Sequence, residues 1–540
     1  MRWALLALMA CGTTETPDTP VVDPVTDSEP EVDEPLVFPE YAQLDPVATL
    51  TRASLDLRGI RPSVEELDAV LADPGQLDPL VEGFLLEDRF GTRVGEMFAE
   101  VFLTRDEYPF VQLAYYLERW SIEHLSRSIG AEPVRVVQRI AGEDMPWSEL
   151  LLADWTMGNA VLADIWPLDI EDGIAGWEVA HYTDGRPPAG LLSSTGMWWH
   201  YGSMENNLNR GRANAVSRIF LCADYLDNEI DFGTDQPLTS EAALGDAIRT
   251  DPACASCHDT LDPIASHFYG YWWFGGAKGM PQEISRYHPH RERAWQDYDA
   301  LPPAFMGTPT NGLVDLANAI VADPRFDACM VKRSWELLHR RPITSEERVW
   351  LTAQRDREDT TFRGLFRDLV ASPAYTSSEH LKLMSPGMLS TSILDLTGFQ
   401  LERDNWDLLS APLLGFNAMA GGVDPFYRDT PLHAPSPTYA LVMQRIAEAA
   451  AVTAVSNDRL ADTPRLFVAI DWTETADDPA VVAQLQVLHA RFLSERLAED
   501  DPRLQTSLQL WQAVHAVDGT EAAWAAVLSL LLRDPAFWVY

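Results

Sequence analysis

Four times along this chain an apolar, helix-like run ends on the same short phrase: a polar residue, usually a proline, then an aromatic. The phrase reads Leu86-Glu87-Asp88-Arg89-Phe90, Val321-Ala322-Asp323-Pro324-Arg325-Phe326, Val370-Ala371-Ser372-Pro373-Ala374-Tyr375 and Leu532-Arg533-Asp534-Pro535-Ala536-Phe537. Proline stops a helix, and the aromatic can fold back onto the core. A chain punctuated in this way is expected to be mainly α, built from several small helical modules closed in a similar manner. The stretch from Val47 to Leu71 fits, with apolar residues at three- and four-residue spacing broken by Gly59 and Pro62. Ser63 followed by Glu66 forms a capping box ahead of Leu67, Val70 and Leu71. Residues 110–155 continue the helical pattern. Strand signals are sparse, and Arg465 to Ile470 is the best candidate. Residues 262–312 are dense in Pro, Gly and aromatics without a clear period, and read as a long irregular loop region.

The boundaries expected from these patterns divide the chain as follows. Residues 1–11 read as a signal peptide with a lipobox and 12–40 as a disordered acidic tether. Residues 41–105 form a helical module and 106–250 a helical domain. A loop-rich segment at 251–345 is followed by a short helical module at 346–385 and a C-terminal helical domain at 386–540. A chain of 540 residues that is 46% hydrophobic can bury sizeable cores. Its 82 acidic residues against 40 basic give a formal net charge of −42. Such a surface repels phosphate backbones, so no nucleic-acid partner is expected.

The apolar run Trp3 to Ala10 is far shorter than the roughly 20 residues of a bilayer span. With Arg2 before it, it reads as a signal-peptide core. Leu8-Met9-Ala10-Cys11 resembles a bacterial lipobox, which makes Cys11 the expected lipidation site and a lipid anchor the expected membrane contact. The Thr-, Pro- and acid-rich residues that follow suit a self-repelling tether. Gly12 carries no inner-membrane retention signal, which points to the periplasmic face of the outer membrane or the cell surface.

Five cysteines are present: Cys11, Cys222, Cys254, Cys257 and Cys329. Export implies oxidising conditions, in which unpaired thiols are a liability. One assignment uses all five: lipid on Cys11, a disulfide between Cys222 and Cys329, and a shared role for Cys254 and Cys257. The other reading of Cys222 and Cys329 is two buried thiols.

Residues 254–258 read Cys-Ala-Ser-Cys-His, the Cys-x-x-Cys-His pattern of c-type haem attachment. Thiols three positions apart lie one turn apart on a helix, so each can form a thioether with one vinyl group. The adjacent His258 can then present its imidazole to the iron as axial ligand. Asp251 and Pro252 suit the start of that helix. A zinc site, a thioredoxin-like redox pair and a plain disulfide are the rival readings. The expected cofactor is one covalent haem c held by Cys254, Cys257 and His258. The distal metal ligand is expected to be Met280, in Gly279-Met280-Pro281, with Met306 the alternative; His267, His288 and His290 also lie within reach along the chain. Tyr269, Tyr271, Trp272, Trp273 and Phe274 either wall the haem from water or pack an ordinary core.

The order of motifs resembles the large exported proteins of planctomycete and myxobacterial type, which are built from cytochrome-associated domains of unknown function. Leu50 to Ser63 looks like the opening segment of one such domain, and Asp144 to Asn159 looks like part of a second. Gly190-Leu191-Leu192, Asn209 to Arg212 and Leu221-Cys222 resemble the entry to a third, in which the haem motif and Asp262-Pro263 follow in order. Phe326 to Cys329 and His339 to Thr344 resemble a fourth. The resemblance covers roughly residues 45–380 and implies export and haem more than any activity. After Asp262-Pro263 the sequence departs from the family pattern, reading Ile264 to Trp272 without the family's glycine and acidic run, which implies altered haem surroundings.

Three functions follow as expectations. One is an exported lipoprotein with one c-type haem in electron transfer or a redox-accessory role, its redox partner unidentified. The second is a haem-dependent oxidative enzyme of peroxidase-like type, in which His267 or His290 serves as distal base. The third is a non-enzymatic surface scaffold.

Overall fold

The computed structural model describes residues 41–105, 119–170, 176–201, 207–227, 240–272, 286–298, 300–355, 358–403, 406–411, 415–424 and 428–540. Cys11, the segment 12–40, Met280, Trp273 and Phe274 lie outside the described residues. The fold is mainly α. In chain order the helices are α1 (Pro46–Arg58), α2 (Val64–Ala72), α3 (Leu77–Leu86), α4 (Asp88–Phe102), α5 (Ile122–Gly142), α6 (Glu149–Leu152), α7 (Ala160–Ile165), α8 (Thr195–His200), α9 (Arg210–Phe220), α10 (Glu241–Thr250), α11 (Pro252–Ala265), α12 (Leu313–Val321), α13 (Pro324–His339), α14 (Arg348–Arg355) and α15 (Phe362–Val370). After them come α16 (Pro386–Thr397), α17 (Pro437–Leu460), α18 (Pro479–Leu493), α19 (Pro502–Asp518), α20 (Thr520–Arg533) and α21 (Pro535–Trp538). Strands among the described residues form short antiparallel pairs: β1 (Thr156–Gly158) with β2 (Glu178–Ala180), β3 (Tyr271–Trp272) with β4 (Arg286–Tyr287), β5 (Ala304–Phe305) with β6 (Thr308–Pro309), and β7 (Glu402–Arg403) with β8 (Trp406–Asp407).

The helix starts follow a local rule. Asp45, Asp251, Asp323, Asp478, Asp501 and Asp534 each cap a helix whose first residue is proline, and each carboxylate accepts an N–H from the first turn. Proline lacks only an N–H that the helix leaves unpaired there, and its fixed φ is already helical. The recurring Asp-Pro phrase is therefore the start of the next helix as much as the end of the last. Its aromatic is buried in the first turn of the new helix, as Phe326 in α13 and Phe537 in α21. Ser63 and Glu66 form the expected capping box of α2, with Ser63 N–H donating to Glu66 at 2.7 Å.

Two large apolar clusters, with a small third one of α5 and α7 residues and Trp166, organise the described chain. The first runs from Leu50 to Tyr375 and centres on α4 against α5, with α9, α12, α13 and α15 around them. The second runs from Leu383 to Trp538, with α17, α19 and α20 packed together and Leu55 of α1 joining it. Helix α1 thus places Leu50 and Leu57 in one cluster and Leu55 in the other.

Two expectations are corrected. Residues 465–470 are not a strand. Their backbone is satisfied by side chains instead: Leu466 and Phe467 N–H donate to Asp458 at 2.6 and 3.0 Å, and Ala469 N–H donates to Gln484 at 2.9 Å. An apolar run reads the same in a strand and in a buried loop, and here Asp458 and Gln484 take the place of a partner strand. The described residues of 262–312 are less irregular than their composition suggests: α11 continues to Ala265 through Pro263, and β3–β4, the β5–β6 hairpin and short 3-10 turns follow.

Candidate functional site

The Cys-x-x-Cys-His sequence occupies the opening turns of α11, where Asp251 caps and Pro252 is the first residue. Cys254 is buried and Cys257 half-buried, and both are thiols. Their three-residue spacing sets them one turn apart on the same side of the helix. Burial pushes the Cys254 thiol above its usual range, and Asp251 and Cys257 add to the effect. Cys222 and Cys329 lie elsewhere, their sulfurs at bonding distance, 2.07 Å, tying the end of α9 to α13.

His258 projects one turn before Asp262, and its Nδ1 is 2.9 Å from Asp262 Oδ1. Arg210, the first residue of α9, grips the same carboxylate from the other side, with Nε to Oδ1 at 2.7 Å and a terminal nitrogen to Oδ2 at 2.8 Å. Burial opposes the charge on Asp262, but the hydrogen bonds from Arg210 and His258 outweigh it and hold the carboxyl below its usual range. An ionised Asp262 accepts from His258 Nδ1–H, which fixes the tautomer and leaves Nε2 as the nitrogen with a lone pair. Thr260, on the next turn, links to Tyr225 at 2.8 Å and to the Cys257 carbonyl at 3.0 Å, pinning the helix to the segment after α9. Two thiols one turn apart and an imidazole with an oriented Nε2 are the donor chemistry that a covalently attached porphyrin iron requires.

The other expected residues are placed as follows. Met306 stands at the tip of the β5–β6 hairpin with φ 47°, partly buried against the first core, and β5 packs on α11. His267 is buried with both ring nitrogens engaged, Nδ1 with the Ile264 carbonyl at 3.0 Å and Nε2 with Thr310 at 2.7 Å. Burial lowers its pKa to about 4, which keeps the ring neutral, and both of its nitrogens are already engaged by neighbours. His288 and His290 meet edge to face, ring centroids 5.7 Å apart. Tyr271 packs edge-on to Tyr287 and donates to the Leu192 carbonyl at 3.0 Å, while Phe268 packs on Trp198. These aromatics pack into the first core. Tyr269 packs at a tilt against Tyr298, ring centroids 5.6 Å apart, and its buried hydroxyl has no hydrogen-bond partner among the described residues.

Two polar nodes went unnoticed in the sequence. Glu132 of α5 is fully buried and accepts four hydrogen bonds, from Thr156, Tyr182, Ser194 and the Gly196 N–H, at 2.6–2.8 Å. Asp56 of α1 is buried against Lys382, Tyr375 and Tyr540. Neither has a local pattern that could have signalled it. Among the described residues, no group of three or more His, Cys, Asp or Glu side chains is placed to hold a metal ion, and no helix is long and apolar enough to cross a membrane. Compared with known proteins, the chain matches no family model, no curated protein and no solved structure.

Proposed function

We propose that the start of α11 is a c-type haem attachment site, with Cys254 and Cys257 forming the thioethers and His258 Nε2 the axial bond. The observation that carries this reading is the Asp262 contact: a carboxylate, itself held by Arg210, fixes the imidazole one residue after the second thiol. When bound, the haem supplies one-electron redox chemistry. The chain's own part is to orient the imidazole, raise its basicity through Asp262 and cover one side of the attachment helix with α9. The protein is then a redox accessory or electron-transfer lipoprotein, anchored through Cys11, acting outside the cytoplasm with a partner protein still to be identified. The likeness to planctomycete- and myxobacterial-type exported proteins belongs to the same proposal.

One observation favours a second reading. A carboxylate on the proximal imidazole increases electron donation to a bound metal and lowers its potential, which suits oxidative, peroxidase-like chemistry better than a high-potential carrier. His267 takes no part in either reading.

The test is expression with the haem-attachment machinery of an exporting host, followed by denaturing haem stain, intact mass and visible spectrum. The expected result is one covalent haem, lost in Cys257→Ser and in Cys254→Ser. Wild-type protein of unmodified mass defeats the proposal. Carbon monoxide or peroxide binding then selects the enzyme reading, and an iron that binds neither selects electron transfer.

A further inference from the structure

We propose that the Tyr269 hydroxyl is a hydrogen-bond donor to a propionate of the haem that Cys254, Cys257 and His258 would hold. The inference rests on the haem reading and adds a residue to that site. It starts from an orphaned donor. Tyr269 is 1% exposed, and its buried hydroxyl has no hydrogen-bond partner among the described residues. Other tyrosines of the same region are satisfied: Tyr271 donates to the Leu192 carbonyl at 3.0 Å, Tyr287 to Glu292 at 2.7 Å, and Tyr225 meets Thr260 at 2.8 Å. A buried hydroxyl left unpaired is destabilising, and in folded proteins such a group is met by a side chain, a water or a ligand.

Its place in the fold narrows the partner. Tyr269 follows α11 after one 3-10 turn, Ser266–Phe268, and its ring packs on Tyr298. Arg210 and Asp262, the pair that orients His258, both act electrostatically on its hydroxyl. The orphaned group therefore belongs to the surroundings of the proximal imidazole. Neither member of the pair is bonded to it, because Asp262 is taken up by Arg210 and His258.

Burial, with Tyr298 and Asp262 adding to it, pushes the pKa of Tyr269 up to about 12, so the oxygen keeps its proton and can donate. Propionates are the ionised groups on the edge of a haem. An anion brought against a chain of net charge −42 needs donors that are not acids, and Arg210 is already closed on Asp262. A neutral hydroxyl meeting a carboxylate makes a charge-assisted bond, which suits this position. The rival partner is a buried water.

The test is Tyr269→Phe in the full chain, prepared with and without haem attachment. Phenylalanine keeps the ring against Tyr298 and removes only the oxygen. In haem-free protein the urea midpoint is expected to stay or rise, because the lost hydroxyl was unpaired. In protein carrying one covalent haem the urea midpoint is expected to fall. The midpoint potential of the iron falls with it, since the propionate regains negative charge that the hydroxyl had drawn off. Tyr271→Phe is the control: its hydroxyl is spent on Leu192, so stability is lost in both forms and the potential stays. An unmoved potential in haem-loaded Tyr269→Phe overturns the proposal. So does haem-free Tyr269→Phe that is destabilised as much as Tyr271→Phe or does not fold, which gives the hydroxyl to water or to the protein. Wild-type protein that takes up no haem overturns the haem reading as well, whereas a haem-loaded variant indistinguishable from wild type overturns this assignment alone.

Discussion

Asp56 and Asp262 are both carboxylates gripped by a cation and a second donor, yet they do opposite work. Asp56 is sealed. Lys382 lies against it, the Tyr375 and Tyr540 hydroxyls donate to it at 2.8 and 2.7 Å, and Lys382 also donates to the Leu338 carbonyl at 2.9 Å. Its partners come from segments more than 300 residues along the chain, at the seam of the two apolar clusters. Asp262 sits at a rim, with His258 half-buried beside it and Arg210 behind it. The same side-chain chemistry holds tertiary structure together where water is excluded, and aims an imidazole where water is admitted. Burial decides which, because a charge removed from water must be fully matched before it can be kept.

The strongest way to break this contrast is Lys382→Ala. It leaves the Asp56 carboxylate without its cation in a sealed site, and a loss of about 3–5 kcal/mol of stability is expected in urea unfolding. A loss below about 1 kcal/mol means that the node is wet or relaxes easily, and the distinction from Asp262 disappears.

Acid titration probes the sealed side of α11 itself. Burial lowers the pKa values of His267 and His200 to about 4, and burial with Lys382 close by holds that of His339 well below its usual range. The unfolded chain takes up these protons near pH 6.5, before the folded chain does. Stability therefore falls as pH drops from about 6.5 towards 4, by about 1.4 kcal/mol per pH unit for each such histidine. His267→Gln is expected to make the slope of unfolding free energy between pH 6 and 4.5 shallower by roughly that amount. An unchanged slope shows that His267 is solvated.

How much of this was legible beforehand depends on how far apart the partners lie in sequence. The Asp-Pro helix starts, the Ser63 capping box and the Cys-x-x-Cys-His turn are written within six residues, and periodicity and capping chemistry suffice to read them. The Asp262–His258 contact spans four residues on one helix and was in principle readable from the helical repeat. Nothing local joins Asp56 to Lys382 and Tyr540, or Glu132 to Ser194. Those pairings are fixed by how helices pack, and a polar residue on a helix looks the same before and after its distant partner arrives. The supposed strand at 465–470 failed for the same reason: its hydrogen-bond partners, Asp458 and Gln484, are side chains on α17 and α18.

A smaller effect calibrates the locally written features. Ser63→Ala removes the hydroxyl that accepts the Glu66 N–H at 3.1 Å, and about 1 kcal/mol of stability is expected to go with it. Chemical denaturation at pH 7 measures this. A loss as large as that from Lys382→Ala places the capping box among the sealed nodes and blurs the division between local and distant chemistry.

Asp262→Asn is the smallest perturbation of stability and the most pointed for function. Asparagine keeps the size of the side chain and an oxygen for His258 Nδ1–H, but removes the charge that both His258 and Arg210 meet. The site is partly solvated, so the expected loss is about 1 kcal/mol or less. If Asp262 serves the imidazole, the effect appears elsewhere: in protein carrying one covalent haem, the less basic His258 donates less to the metal, and the midpoint potential moves upward. Spectroelectrochemical titration reads this without any activity assay, and Arg210→Gln, which bares the carboxylate, is expected to move the potential the opposite way. Equal and large stability losses in both variants, with no change in potential, make Asp262 a second Asp56 and leave the rim histidine untuned.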